Sequence, residues 1–441
     1  MIITTLADHL LSLLRWLSGC SRRFAGSSVS NSQNSRSHRG RVIRRSRAAS
    51  KTGGSPASAG EIFALIRSAV ATTRTDIRRH TGLSRTAVAA RVAELTERGL
   101  VVERQEGLST GGRPPTLLTF NGDAGIVLAA AVGRSRTHLA VCNLAGRMLA
   151  VTDVDEHVGA GPDELMPDLV KRLESLVTDA GFTPSAILGV GVSLPGTVDQ
   201  ERGASLDSPV MSGWDGVPLA PYFHDLTTAP VLVDNDANVM ALAERHGEYR
   251  GIDDLILLKL STGLGAGIIC GGALQRGAVG AAGEFGHNKT AAAEGNACRC
   301  GDTGCLESIA GGWALVRTLR EHGREIGHVR DVVELANRGD AEARRLIRES
   351  GRHVGEAVAP VVNLLNPGVL AIGGDLMGAY DLLVAGLREA LYGNASALAT
   401  RTLRVVPATH GERSSVVGSA ALILDFILDA DAIDAALQAK R

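Results

Sequence analysis

The rhythm of apolar positions changes twice along the 441-residue chain. Up to about residue 59 there is no period. Ser, Arg, Gly and Asn dominate, and the few apolar side chains cannot offset the entropy of ordering. Residues 1–59 are therefore expected to be a disordered basic tail, the equal alternative being a start codon placed too far upstream. Leu10 to Leu17 is a short apolar run, but no basic region precedes it and no small-residue cleavage site follows, so it does not read as a secretion signal.

From about Gly60 a helical period sets in, with Ile62, Phe63, Leu65, Ile66, Ala69 and Val70 on one face. Thr75 suits the N-cap of a second helix that stops at Thr81-Gly82, and Ser84 caps a third that runs to Arg98. The third helix puts Val88, Val92 and Leu95 on one side and ends at Gly99, a residue suited to the left-handed C′ position. Two β-prone segments follow, Leu100 to Arg104 and Leu117 to Phe120. Residues 60–122 thus add up to a winged helix-turn-helix.

Beyond about Asp123 short apolar runs alternate with helical stretches, the pattern of an α/β fold. Val127 to Val132, Leu139 to Leu144 and Met148 to Val154 read as consecutive strands. A helix from about Pro162 to Ala180, a buried strand Ala186 to Val192, and a strand Val231 to Val233 that opens a helix reaching Glu248 come next. Aromatic residues are only 3% of the chain, so Leu, Val, Ala and Ile must build the cores. The net charge of −1 conceals an asymmetry: Met1 to Lys51 holds about ten Arg or Lys against Asp8 alone, which leaves the remainder acidic. A basic tail fits nonspecific attraction to nucleic acid. No run of uninterrupted apolar residues is long enough for a membrane span, and nothing marks the chain as secreted, so a cytoplasmic protein is expected.

The densest chemistry lies in GEFGHNKTAAAEGNACRCGDTGCLE, Gly283 to Glu307. His287, Cys298, Cys300 and Cys305 form a ligand set that a structural, tetrahedral Zn²⁺ prefers, and four protein ligands leave no open position for catalysis. The plain alternative is three reduced cysteines and a solvated histidine. Cys20, Cys142 and Cys270 are scattered, which argues against a disulfide framework. In the third helix Ser84, Arg85, Thr86, Ala89, Ala90 and Arg91 face outward. Small residues there admit a helix to base edges, and Arg85 can reach guanine or phosphate. Gly111, Gly112, Arg113 and Pro114 suit a narrow minor groove, or serve only the turn of a hairpin.

Several segments together resemble the ROK family of bacterial sugar kinases and sugar-responsive repressors. CxCGxxGCxE (Cys298 to Glu307) and AGExGH (Ala282 to His287) resemble its zinc and sugar motifs. TGLSRxxV (Thr81 to Val88) and SxGGRPP (Ser109 to Pro115) resemble its repressors' DNA-binding domains. Ser193 to Asp199, Trp214 within GWxxxPL, Asn235-Asp236-Ala237-Asn238, Leu260 to Gly267 and Gly373-Gly374 match further family segments. The resemblance implies a two-lobed, actin/hexokinase-like α/β domain over residues 123–441, behind the winged helix-turn-helix. It implies that Glu284, His287 and Glu307 face sugar hydroxyls, that Asn235 positions the sugar, and that Asp236 is the base that takes its proton. It also implies nucleotide-type loops at Gly133, at Thr262, Gly263 and Gly265, and at Gly373 and Gly374.

One departure stands out. Where the family's kinases have DxGGT, with an Asp for the nucleotide's metal, this chain has Ala131, Val132, Gly133, Arg134 and Ser135. A methyl group cannot orient Mg²⁺. Arg134 and Arg136 either meet an anion or are solvated. The expected protein is a DNA-binding repressor that senses a sugar or sugar phosphate, with structural zinc, an inverted-repeat operator, and a homodimer or homotetramer. In that case Asp236 is a vestigial base. The alternative is an ATP-dependent sugar kinase carrying a DNA-binding head.

Overall fold

The computed structural model describes residues 57–105, 116–134, 136–154, 161–206, 211 and 213–439. Most of the expected tail and the wing residues Ser109 to Pro115, Arg113 among them, lie outside the described residues.

The head begins earlier than the apolar pattern suggests. Ser58 accepts a hydrogen bond from the Glu61 amide and donates its own amide to the Glu61 carboxylate, a capping box that starts α1 (Ala59–Arg67). Ile62, Phe63 and Ile66 are buried, but the helix stops before Ala69 and Val70, which is 51% exposed, so these two residues leave the expected face. The cap of α2 (Arg74–Thr81) is Thr73, not Thr75: its hydroxyl accepts from the Asp76 amide and donates to the Asp76 carboxylate. Thr75 falls inside the helix, one residue past its first position. Ser84 caps α3 (Arg85–Glu97) as expected, accepting from the Ala87 amide. Strands β1 (Val101–Gln105) and β2 (Thr116–Phe120) then form an antiparallel ribbon, and Phe120 meets Phe63 edge to face.

Each lobe of the body is built on one five-stranded sheet. In the first lobe β3 (Ile126–Val132), β4 (Thr137–Asn143) and β5 (Met148–Val154) are antiparallel. They are followed by helix α4 (Pro162–Asp179) and the strands β6 (Ile187–Leu194) and β7 (Val231–Asn235), which add parallel to β3. Helix α5 (Asp236–His246) leaves the end of β7 and crosses to the second lobe. There β8 (Leu255–Leu260), β9 (Leu264–Cys270) and β10 (Ala273–Leu274) are antiparallel. Helices α6 (Gly312–Glu321), α7 (Val329–Asn337) and α8 (Ala341–Leu365) precede β11 (Val369–Gly373); α9 (Tyr380–Asn394) then leads to β12 (Arg404–Pro407). The strand orders, β5-β4-β3-β6-β7 and β10-β9-β8-β11-β12, are the same topology used twice. This is the two-lobed α/β architecture that the motifs imply.

Burial explains why β3 reads as an unbroken apolar run. Ile126, Leu128, Ala130 and Val132 face α4, while Val127, Ala129 and Ala131 face α10 (Ser414–Ile427), so the strand is covered on both sides. The last helix, α11 (Ala430–Gln438), packs on the head. Ile433 and Leu437 join the cluster of Ile62, Val88 and Leu95, the Gly60 amide donates to Asp434 at 2.8 Å, and Arg98 donates to the Leu437 carbonyl at 3.2 Å. The head's core is thus completed by residues near the chain's end, which the expected 60–122 and 123–441 boundaries separate.

Candidate functional site

The Gly283–Glu307 loop folds back on itself through paired backbone at Lys289 with Cys305 and at Ala297 with Thr303. That fold gathers four ligand atoms, from His287, Cys298, Cys300 and Cys305, within 4.8 Å of one another. Cys300 Sγ lies 3.7 Å from Cys305 Sγ, and Cys298 Sγ lies 3.8 Å from His287 Nδ1. A tetrahedral ion bound at about 2.3 Å holds its sulfurs about 3.8 Å apart, so the cluster could hold a metal of that kind. Burial pushes the Cys298 thiol up to about 12. Cys300 is held below its ordinary value despite burial, by the Asp302 backbone and the neighbouring thiols. Metal uptake must therefore expel protons.

Lys289, which spacing alone did not single out, donates to Cys305 Sγ at 3.2 Å and to Asp302 at 2.6 Å. The Asp302 contact raises the Lys289 pKa, and Lys289 in turn lowers that of Asp302. With a metal bound, its ammonium would offset the charge of the sulfur ligands. On the other side, His287 Nε2 is 3.8 Å from Glu284 Oε2, and Glu284 Oε1 accepts from the Thr197 hydroxyl at 3.0 Å. The metal loop is thereby tied to the Ser193–Asp199 turn.

Three of the expected sugar contacts are otherwise engaged. Asn235 Oδ1 caps α5 by accepting from the Ala237 and Asn238 amides, and its Nδ2 donates to the Gly196 carbonyl at 2.8 Å. Asp236 pairs with Lys259 of β8. Glu307, with a side chain 7% exposed, accepts from Arg299 at 2.7 Å, Trp313 at 2.9 Å and the Leu264 amide at 2.9 Å. Its packing requires glycine nearby: a Cβ on Gly263 would stand 2.7 Å from Glu307 Oε2. Glu307 therefore joins the metal loop to the Thr262-Gly263 turn, and both its oxygens are taken up by protein donors. Asp234, 1% exposed, is the other anchor missed by sequence; it binds Gln200, Arg276 and Asn238.

The remaining nucleotide-type positions fall at strand ends. The Gly133 amide closes the β3–β4 turn on the Arg136 carbonyl at 3.0 Å, Gly265 faces Ala237, and Gly374 backs onto Leu260. Ala131 is buried in the sheet face, and Arg136 pairs with Glu412 at 3.5 Å. Arg134 lines a cavity of about 400 Å³ with Thr262, Arg299, Trp313, Arg317 and His328. Burial lowers the Arg134 pKa, with Arg299 adding repulsion and Glu307 opposing it. Burial likewise lowers that of His328.

A profile of the ROK family matches residues 127–425, well over half of the chain. The chain belongs to the ROK family. It is 32% identical over 370 residues to the xylose repressor of Caldicellulosiruptor bescii, covering 80% of this chain and 92% of that protein. A crystal structure of a ROK family transcriptional regulator, a homolog of the E. coli MLC protein, superimposes with a TM-score of 0.74 at 27% identity, covering 86% of this chain and 98% of that one. The ROK glucokinase of Streptomyces griseus, solved with glucose and AMPPNP, reaches a TM-score of 0.56 at 29% identity, over 68% of this chain and 99% of that one.

The superposition with the regulator thus extends over more of this ROK chain than that with the glucokinase, which lacks a counterpart for about a third of it. In the head of this ROK protein Ser84, Arg85, Thr86, Ala89 and Ala90 are exposed on α3. Arg91 differs, being half-buried with its guanidinium turned back to the Ala87 carbonyl at 3.4 Å.

Proposed function

We propose that this ROK protein is a sugar-responsive transcriptional repressor whose kinase-like body senses a carbohydrate and whose head binds an operator. The observation that carries the reading is the first phosphate-type turn, where Ala131 stands in the place of a carboxylate. Two further observations support it. An ammonium from Lys259 pairs with the Asp236 carboxylate, the group that would have to accept a sugar proton. Helix α3 offers an exposed face of small and hydroxyl-bearing residues behind Arg85, and the matched xylose repressor and regulator cover 80% and 86% of this chain. The metal held by His287, Cys298, Cys300 and Cys305 is zinc in this reading, and its work is to fix the loop that carries Glu284. One recognition helix per head is too little for specificity, so the protein binds an inverted repeat as a dimer or a dimer of dimers.

A gel shift with the gene's own upstream DNA, repeated with a panel of sugars and sugar phosphates, tests head and body together. A retarded band that some sugar alters is the expected result; no retardation at any sugar concentration refutes the reading. Arg85→Ala is expected to weaken specific binding by about 1–3 kcal/mol while leaving nonspecific binding nearly intact. An unchanged footprint and affinity would remove Arg85 from the base-reading face.

The kinase alternative is tested separately. With ATP, Mg²⁺ and a hexose panel, turnover is expected to stay far below about 1 s⁻¹, the low end for kinases. Turnover at or above that level would show that neither Ala131 nor the Lys259 pairing disables transfer.

A further inference from the structure

The second lobe reaches over to the first through a strap. After the edge strand β10, residues 276–282 turn out of the lobe and back, closed by the Ala282 amide on the Arg276 carbonyl at 3.0 Å, and run on into Glu284. Three contacts tie the strap to the first lobe. Arg276 Nε donates to Asp234 Oδ2, at the end of β7, at 2.8 Å, and its Nη2 reaches the same oxygen at 2.8 Å. Gly280 lies so close to the turn after β6 that a Cβ there would stand 2.3 Å from the Val198 carbonyl oxygen. Glu284 accepts the Thr197 hydroxyl at 3.0 Å.

The burial of Asp234 gives the first contact its weight. Its other donors are the Asn235 amide and the side chains of Asn238 and Gln200, all neutral, and none belongs to the second-lobe sheet. Among the described residues Arg276 is the cation that pairs with it, so the charge of a buried first-lobe carboxylate is balanced from the other lobe. Taking one partner from a buried ion pair is costly, whereas an exposed pair such as Arg348 with Glu389 contributes little. Parting the lobes withdraws the guanidinium from Asp234, and closure is favoured accordingly.

We infer that Arg276 is a positioning residue: its bond to Asp234 is a clasp that keeps the cleft between the lobes closed before any ligand arrives and holds Glu284 in register with Thr197. That Glu284 then meets a carbohydrate rests on the function proposed above. The clasp itself does not.

Hydrogen–deuterium exchange on the full chain, without sugar, tests it. Arg276→Gln is expected to speed exchange by about tenfold or more in residues 276–284 and also in residues 193–206 of the opposite wall, since one opening frees both faces. Arg276→Lys, which keeps the charge, is expected to remain near the wild-type rates. Gly280→Ala pushes the strap off Val198 without removing the cation, and is expected to loosen both walls even if Arg276→Gln fails to fold. Faster exchange in the strap alone, equal rates in the Gln and Lys variants, or unchanged walls would overturn the clasp.

Calorimetry with D-glucose and D-xylose adds a second readout. Whichever sugar binds the wild type is expected to bind Arg276→Gln about tenfold more weakly, and Thr197→Val is expected to cost less in that background than alone, because both act through Glu284. Additive losses would overturn the coupling to Glu284. If neither sugar binds the wild type, the carbohydrate reading is at fault, and the exchange rates decide the clasp.

Discussion

Cys305→Ser is expected to reduce bound zinc from about one ion per chain to a small fraction, and to weaken sugar binding by about tenfold or more. Cys305 is fully buried, 3.7 Å from Cys300 Sγ and within reach of the Lys289 ammonium. A serine hydroxyl in that place is neither a thiolate nor a good zinc ligand. Structural zinc contributes on the order of 10 kcal/mol to small sites, so losing one ligand of four removes most of the loop's stability. The consequence for sugar follows from connectivity. His287 faces Glu284, which holds Thr197 at 3.0 Å, and Cys305 leads within two residues to Glu307, which clamps Leu264 and Arg299. Without the ion these carboxylates lose their registration. Zinc content by atomic absorption and sugar affinity by calorimetry check both parts. A variant with full zinc and full affinity would show that Cys305 is a buried structural thiol and nothing more. Affinity for zinc is further expected to fall below neutral pH, since burial already favours protonated Cys298, and each retained proton competes with the ion.

That site was legible because its ligands lie close in sequence. Three cysteines within eight residues, spaced by glycine and charged residues, have few packing reasons to be there. The strands were legible for a similar reason: β3 is covered on both faces, so Ile126 to Val132 carries no polar residue to blur it. What could not be read were partnerships between distant residues. Lys259 sits 23 positions from Asp236, and only the crossing from β7 through α5 to β8 brings them together. Asn235 looked like a sugar contact because its motif neighbours suggested one, yet helix α5 needs its side chain as a cap. Glu307 is turned by Arg299, a residue that spacing marked only as a gap between two cysteines. Even the Thr73 cap was hidden, since Thr75 is equally suitable until the reciprocal bond from Asp76 is known.

Gly60→Ala is expected to free the head from the last helix and to abolish the response of DNA binding to sugar, while sugar binding itself stays within about twofold. A Cβ at position 60 would stand 1.9 Å from the Ala430 carbonyl oxygen and 2.8 Å from the Ala430 Cα. These are backbone atoms and cannot rotate aside, so α1 and α11 must separate, and the bond from the Gly60 amide to Asp434 goes with them. Overpacking of this kind costs about 1–3 kcal/mol, at the upper end where backbone is met. Intrinsic helix propensity acts the other way, since alanine favours a helix over glycine by about 1 kcal/mol, so any loss reports docking. Docking matters because a continuous set of rigid elements runs to that contact. Helix α5 begins at Asp236 and ends at His246, whose Nε2 lies 2.8 Å from Asp425 on α10; Asp429 then caps α11, which lies on α1. A change of lobe closure at Asp236 has a physical route to the head, and only a two-state difference at the α1–α11 contact can convert it into affinity. Gel shifts with and without sugar, and calorimetric melting in which the head's transition falls away from the body's, check the expectation. If Gly60→Ala melts as one unit and still answers to sugar, coupling runs elsewhere and the α1–α11 contact is only a structural seam.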